Sequence, residues 1–321
     1  MNKVRESTYL AVSLFLMGLL CLGAHGGWTV AVDEYPPLLP PAGREVDGRA
    51  PFTFAVVGDT RGNMTVFEAA LDGAQRSGAE VVLHTGDIAQ RLTERQYGWL
   101  LQELHGARMD GLFCPVPGNH DIGRGGRRER TESLYRSAFG PPRYWFGYAN
   151  TLFVGVDTSD EQMTREDLRW LREVLSQHRS DFEACIIFTH VPPHDPRPGK
   201  GRELGKGKER MVRLLQKHNV SAIMAGHIHG QAEGTVGGIP IYVHGGAGEE
   251  LQRGETHHTY LTATVNDTGE VDVSVRRIER MESREVLEYL LWVKFPWTVI
   301  TAAGGLFIAG GFFCLGTRPL A

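Results

Sequence analysis

The stretch VVLHTGDIAQ, residues 81–90, is a β-branched apolar run that breaks at Gly-Asp, and FAVVGDTRGN at 54–63 repeats the pattern. Short apolar runs of this kind read as buried strands. Each therefore delivers an aspartate to the end of a strand. The same rhythm continues down the chain, with apolar runs ending at polar residues near 52–59, 81–87, 112–120, 152–158, 184–190, 220–229 and 239–246. Amphipathic helical patterns lie between several of them: NMTVFEAALDGAQRSG, ERQYGWLLQELHG and TREDLRWLREVLSQH. Strands alternating with helices predict a layered α/β domain with largely parallel pairing. The last run, YLTATVNDTGEVDVSVRRIE, alternates strictly around Asn-Asp-Thr-Gly and predicts an antiparallel hairpin.

In open α/β sheets ligands bind at the carboxyl ends of the strands. The residues expected there are Asp59, Asp87, Asn119, His120, His190, His227 and His229, each directly after an apolar run. Parallel neighbouring strands would bring all of them to one crevice. Carboxylate, carboxamide and imidazole together suit a first-row divalent or trivalent metal, rather than calcium or a thiolate zinc site. In an extended GHIH, residues i and i+2 point the same way, so His227 and His229 can serve adjacent ions. Taken singly, a Gly-Asp is an ordinary turn and His190 an ordinary core histidine. The ordered set is what points to metal.

That set resembles the calcineurin-like metallophosphoesterase superfamily. The family order of Asp, Gly-Asp, Gly-Asn-His-Asp/Glu, His and Gly-His-x-His stands here as GDTRG, GDIAQ, GNHD, FTHVPP and GHIHG. YWFGYANTLFVGVDTS and IYVHGGAG are similar to its middle strand pair and its late glycine-rich strand, so the resemblance covers about residues 52–278. It implies a layered metallophosphoesterase-type β-sandwich flanked by helices. The implied activity is hydrolysis of a phosphomonoester or phosphodiester by a metal-bound hydroxide. The implied cofactors are two divalent or trivalent transition-metal ions, manganese, iron or zinc. Asp87 would bridge them, with Asp59 and His229 on the first ion and Asn119, His190 and His227 on the second. His120 would contact the phosphate and protonate the leaving oxygen.

Two positions depart from the family pattern. Many members place histidine two residues after the first aspartate, where this chain has Arg61. A guanidinium has no lone pair to give a metal, but its planar fork could grip a substrate phosphate. Gln90 stands three residues beyond Asp87, where aspartate is frequent; its carboxamide oxygen can accept the His120 N–H but supports a cation less well. These departures keep open an alternative, a catalytically weakened phosphate-binding or scaffold member of the same fold.

The 321 residues are 41% apolar and 22% charged, an ordinary globular composition. A net charge of -4 gives no electrostatic case for a nucleic-acid-binding surface. Four cysteines are too few for a disulfide framework, and Cys114 and Cys185, in strand-like runs, are expected as buried free thiols. Residues 1–32 read as a signal peptide or an N-terminal membrane anchor, and 33–51 as a proline-rich linker. The domain 52–278 is followed by an amphipathic juxtamembrane helix at 279–294, a transmembrane helix at 295–316 and a tail at 317–321. The 295–316 stretch, FPWTVITAAGGLFIAGGFFCLG, carries no charge. At about 1.5 Å per residue it reaches about 33 Å, enough for a hydrocarbon core of about 30 Å. Lys3 and Arg5 before the first apolar segment predict an exported, membrane-anchored catalytic domain on the extracytoplasmic side. A transporter role is disfavoured, because neither candidate span carries a charge. Residues 195–210 read as a solvated loop or a basic lid, and GRGGRRER (123–130) as a candidate phosphate-facing patch; His194, His244, His257 and His258 are given no metal.

Overall fold

Along β2 (Phe52–Val57) and β3 (Ala79–His84), alternate side chains face opposite sides of a sheet. Phe54, Val56, Val81 and Leu83 enter one core with Phe146, Phe153, Ile186 and Phe188 from a second sheet. Phe153 stacks on Phe146 at 4.9 Å between ring centroids and meets Phe54 edge-on at 5.3 Å. The core is thus an apolar layer, rich in aromatic rings, between two sheets. The computed structural model describes residues 38–90, 94–106, 111–123 and 128–278.

The remaining strands are β1 (Arg44–Val46), β4 (Leu112–Pro115), β5 (Tyr144–Tyr148), β6 (Thr151–Val156), β7 (Ala184–Thr189), β8 (Ala222–Ala225), β9 (Ala232–Val236), β10 (Ile239–Val243), β11 (Thr259–Val265) and β12 (Val271–Arg277). The helices are α1 (Met64–Arg76), α2 (Glu94–Gly106), α3 (Arg128–Phe139), α4 (Arg165–His178) and α5 (Lys208–Lys217). One sheet has five strands in the order β12-β11-β2-β3-β4, the other seven in the order β1-β5-β6-β7-β8-β10-β9. β2, β3 and β4 run parallel, as do β6, β7, β8 and β10; antiparallel partners flank them. A second apolar layer joins Leu152, Val154, Ile187 and Ile223 of the larger sheet to Leu168, Leu171 and Leu175 of α4 and Met211 and Leu215 of α5. The chain folds as a mixed α/β sandwich of two sheets with helices outside them.

Register decides where the loops meet. Val57 lies level with His84 and His84 with Pro115 in one sheet. In the other, Val156 pairs with Thr189, and Ala225 with both Thr189 and Val243. The parallel strands of both sheets end flush, so the loops after β2, β3, β4, β7, β8 and β10 converge on one edge.

The hairpin expected near the end is β11–β12, paired from Thr259↔Arg277 to Val265↔Val271. The three helical patterns are α1, α2 and α4, and α4 carries a full capping box. Thr164 Oγ1 accepts from Asp167 N at 3.1 Å, and Asp167 Oδ2 accepts from Thr164 N at 2.9 Å. Four elements carry too weak a pattern to be read in advance. β1 arises inside the expected linker, pairing in parallel with β5, and β9 is short and partly exposed. In α3 the apolar residues sit mainly in the second half, where Tyr135, Ala138 and Phe139 are buried. α5 begins inside the stretch read as a loop or lid.

Cys114 and Cys185 are buried free thiols, and burial pushes the Cys185 thiol up to about 12. Among the described residues no helix is long and apolar enough to cross a membrane. Segments 1–32, 279–294, 295–316 and 317–321 lie outside the described residues.

Candidate metal centre

Beyond the strand ends the loops continue to pair. Asp59 N donates to Gly86 O, Arg61 N to Asp87 O and Gly62 N to Ile88 O, all at 2.9 Å. This zips the first Gly-Asp loop to the second. Asp59, Arg61, Asp87, His227 and His229 all take left-handed backbone angles, five of the eight described non-glycine residues that do. Such angles cost on the order of 1 kcal/mol or more each and persist where the surroundings impose them. At Gly118 a Cβ would fall 2.1 Å from Asp87 Oδ1, and at Gly226 2.6 Å from Asp59 Oδ2, so both carboxylates rest against bare backbone.

Asp121 ties the β3 and β4 loops together. Its carboxylate accepts from Ile88 N at 2.9 Å, Ala89 N at 3.0 Å and Gly118 N at 2.9 Å. Burial, then the charge of Asp87, pushes its carboxyl up to about 7. The last letter of GNHD is the only trace of this brace in the sequence.

Three donor atoms gather around His190 Nε2. It lies 3.0 Å from Asn119 Oδ1, 3.2 Å from His227 Nδ1 and 3.4 Å from Asp87 Oδ1. His190 Nδ1 donates to Thr85 O at 2.9 Å, which leaves Nε2 as the lone-pair nitrogen facing the cluster. A second group consists of Asp59, Asp87 and His229, whose ligand atoms all lie within 4.8 Å of one another. His229 Nε2 is buried, 3.7 Å from Asp59 Oδ1, and makes no hydrogen bond among the described residues. An ion bound at about 2.1 Å to nitrogen and oxygen ligands spaces those ligands about 3 Å apart. Close donors and an orphaned imidazole nitrogen are what a metal would satisfy, and the residues fit one in each group.

The charge states agree with that fit. Burial, then the neighbouring His190 and Arg202, pulls His227 down to about 2; burial, then Arg202, pulls His229 down to about 4. Both imidazoles are neutral near pH 7, with lone pairs available. Burial, then Asp87, pushes Asp59 well above the usual carboxylate range. For Asp87 burial acts upward but is outweighed by His190, Arg61 and His120, which hold it well below that range. Two buried carboxylates facing each other call for a cation between them.

The profile of the calcineurin-like phosphoesterase domain matches residues 52–231, more than half of the chain. The chain is a calcineurin-like phosphoesterase. It belongs to a family of metal-dependent hydrolases of phosphoric ester bonds whose centres are dinuclear. Among solved structures it is similar to a purple acid phosphatase from yellow lupin seeds, with TM-score 0.60 and 16% identity over 75% of this chain and 55% of that one. It is also similar to a dimetal phosphatase from Danio rerio, with TM-score 0.55 and 18% identity over 71% of this chain and 100% of that one. At such identities the likeness is one of fold, and the chain spans about half the length of the lupin enzyme. No curated protein matches it.

In this phosphoesterase Arg61 does enter the crevice, with 9% of its surface exposed. Its Nε lies 3.2 Å from Asp87 Oδ2 and 2.7 Å from Glu249 Oε2. The second contact is an ion pair without hydrogen-bond alignment, since Glu249 Oε2 has no hydrogen-bond partner among the described residues. Glu249 was not legible in advance. Its N donates to Asp59 O at 2.8 Å, and Asn63 Nδ2 donates to Gly248 O at 3.1 Å, so the loop after β10 is built onto the loop after β2.

His120 is half-buried at the same edge, its backbone N donating to Asp87 Oδ1 at 2.9 Å. Burial lowers its pKa, with Asp87 acting in the opposite sense. Gln90 does not accept from His120: its Oε1 is buried with no hydrogen-bond partner among the described residues. His244 stands behind Asp59, its Nε2 2.6 Å from Thr85 Oγ1 and 3.9 Å from Asp59 Oδ2. His194 is a loop residue paired with Glu203. Within the stretch 123–130, Arg128 pairs with Asp157 at 2.9 Å and Asp160 at 3.0 Å.

Proposed function

We propose that this phosphoesterase hydrolyses a phosphomonoester or phosphodiester at a two-ion centre, and that it is tethered to a membrane with domain 52–278 on the extracytoplasmic side. The observation that carries the catalytic part is the posture of Asp87. Its Oδ1 faces the His190 cluster at 3.4 Å, and Asp87 also belongs to the group with Asp59 and His229 whose ligand atoms lie within 4.8 Å of one another, so one carboxylate would serve both ions.

Asn119, His190 and His227 would hold one ion with Asp87, and Asp59 and His229 the other. Bound ions supply Lewis acidity and an activated water for attack on phosphorus. The chain's own residues do the rest. His120, at the rim and held by its backbone bond to Asp87, is placed to give a proton to the leaving oxygen. Arg61 offers its planar fork to a non-bridging phosphate oxygen. Asp121 keeps the loops carrying Asp87 and His120 in fixed relation, so acid and ligand move together.

The second reading is a weakened phosphate-binding member, favoured by the unpartnered Gln90 oxygen. Purified full-length protein supplied with manganese separates the two, using p-nitrophenyl phosphate and bis-p-nitrophenyl phosphate. Turnover of either supports the enzyme; binding of phosphate without turnover of either supports the alternative. Tethering rests on the charge-free 295–316 segment. Retention in membranes after a high-salt wash is expected, and release by salt would refute it. Protease added to intact cells, or to spheroplasts where an outer membrane intervenes, should digest the domain.

A further inference from the structure

The loop between β7 and α5 is built around carboxylates. Asp195, 2% exposed, accepts from Arg197 N at 3.1 Å, Arg197 Nε at 3.0 Å, Arg197 Nη2 at 2.9 Å and Arg202 N at 3.1 Å. Glu203 accepts from Asp195 N at 2.9 Å and pairs with His194 and Lys208. Leu204, buried, donates its N to Pro192 O at 2.9 Å. Both carboxylates are therefore committed, and neither neutralises the side chain of Arg202, which lies between them in the chain. Among the described residues that guanidinium has no acidic partner. It makes one long hydrogen bond, from Nη1 to Ile228 O at 3.5 Å. Ile228 is the residue between His227 and His229.

The surrounding contacts close this rim. Arg197 Nη1 donates to Gln252 Oε1 at 2.9 Å, and Gln252 N donates to His229 O at 3.0 Å. Arg202 is thus a cation without an acidic partner among the described residues, beside two imidazoles of the candidate metal centre. Arg61, by contrast, has Glu249 and Asp87 to balance it. A solitary arginine on an open surface is ordinarily just solvated. Here its backbone is pinned and its charge opposes any ion held by His227 and His229. An anion lying between arginine and ions turns that repulsion into a grip.

We infer that the substrate carries a second anionic group beside its scissile phosphate, and that Arg202 is the residue that reads it. The inference rests on the phosphoesterase reading and narrows its substrate to two chemistries with one feature in common, a phosphate or a carboxylate next to the reacting phosphorus. The planar guanidinium fork matches either group in bidentate fashion. Hydrolysis itself is unchanged: water adds to phosphorus, the bond to the leaving oxygen breaks, and that oxygen takes a proton.

The test uses full-length protein in detergent with free manganese held constant, and three probes. Phenyl phosphate has no second anion, inorganic pyrophosphate has a second phosphate, and 2-phosphoglycolate has a carboxylate. In Arg202→Gln the ratio of kcat/KM for a doubly anionic probe to that for phenyl phosphate should fall by about 10-fold or more, chiefly through KM. Arg202→Lys, which keeps charge without the fork, should recover part of it. A ratio that falls for pyrophosphate alone makes the second group a phosphate, and for phosphoglycolate alone a carboxylate. Equal losses on all three probes would overturn the inference, leaving Arg202 as a brace for the Ile228 peptide. Failure of the wild type on all three probes, with bis-p-nitrophenyl phosphate still hydrolysed, would overturn this inference alone; failure on that diester as well would overturn the phosphoesterase reading with it.

Discussion

The two halves of the centre share Asp87 and differ in everything else. Three donors stand 3.0–3.4 Å from His190 Nε2, with the imidazole tautomer fixed by Thr85. The half containing Asp59 and His229 is looser, and a guanidinium leans into it, balanced by Glu249. The first half is preorganised for a cation. The second already contains one. A single centre can therefore hold one ion by its own geometry and leave the other dependent on what else arrives.

The largest effect should come from the residue the halves share. Asp87→Asn is expected to abolish turnover and to lower metal content in both halves, measured by elemental analysis and steady-state rates. Full activity in that variant would break the two-ion reading altogether. His120→Ala should lower the rate by about 10² to 10⁴, the usual worth of acid catalysis, with metal content near normal. A leaving group of low pKa should restore part of that loss; no such rescue would remove His120 from the proton path.

A finer test targets the asymmetry. Calorimetric titration with manganese should give two separated affinities in phosphate-free protein, drawn together by added phosphate. Glu249→Gln removes the carboxylate that balances Arg61, and should weaken the looser ion by about 10-fold or more, the scale of neighbouring-group effects on metal affinity. Arg61→His should narrow the gap. Two equal, tight sites in the wild type would show that the guanidinium does not oppose the ion. The smallest effect belongs far from the centre: Thr164→Ala breaks the α4 capping box and should cost about 1 kcal/mol of stability. Metal affinities should not move with it, and if they did, the difference between the halves would be a matter of global stability.

The strands and the polar residues gathered beyond their ends were legible because both follow from short-range rules. A buried parallel strand needs an uninterrupted apolar run, and a ligand at its end needs a polar residue directly after it. Asp59, Asp87, Asn119, His190, His227 and His229 all lie within four residues of a strand's end. What escaped is what distant segments make jointly. Glu249 reaches Arg61 only because the β10 loop hydrogen-bonds to the β2 loop, and no local spacing records that pairing. The pairing of Arg128, within the stretch read as a candidate phosphate-facing patch, was hidden because Asp157 and Asp160 lie about thirty residues on. Gln90 was assigned by position relative to Asp87, yet position along a loop does not determine where a side chain points. Helix α3 was hidden because its buried face begins only after a charged first turn.

The flush strand ends described above mean that the His190 cluster takes Asp87 and Asn119 from the five-stranded sheet, and His190 and His227 from the seven-stranded one. An ion there would act as a rivet between the layers, joining segments otherwise held mainly by the aromatic core. A ligand that binds only the folded chain at about a thousand times its dissociation constant adds about 4 kcal/mol to stability, a large share of the total for most domains. Scarcity of the metal would then be felt first as a shorter lifetime of the folded protein and a smaller standing pool of it, before any question of how fast each molecule works.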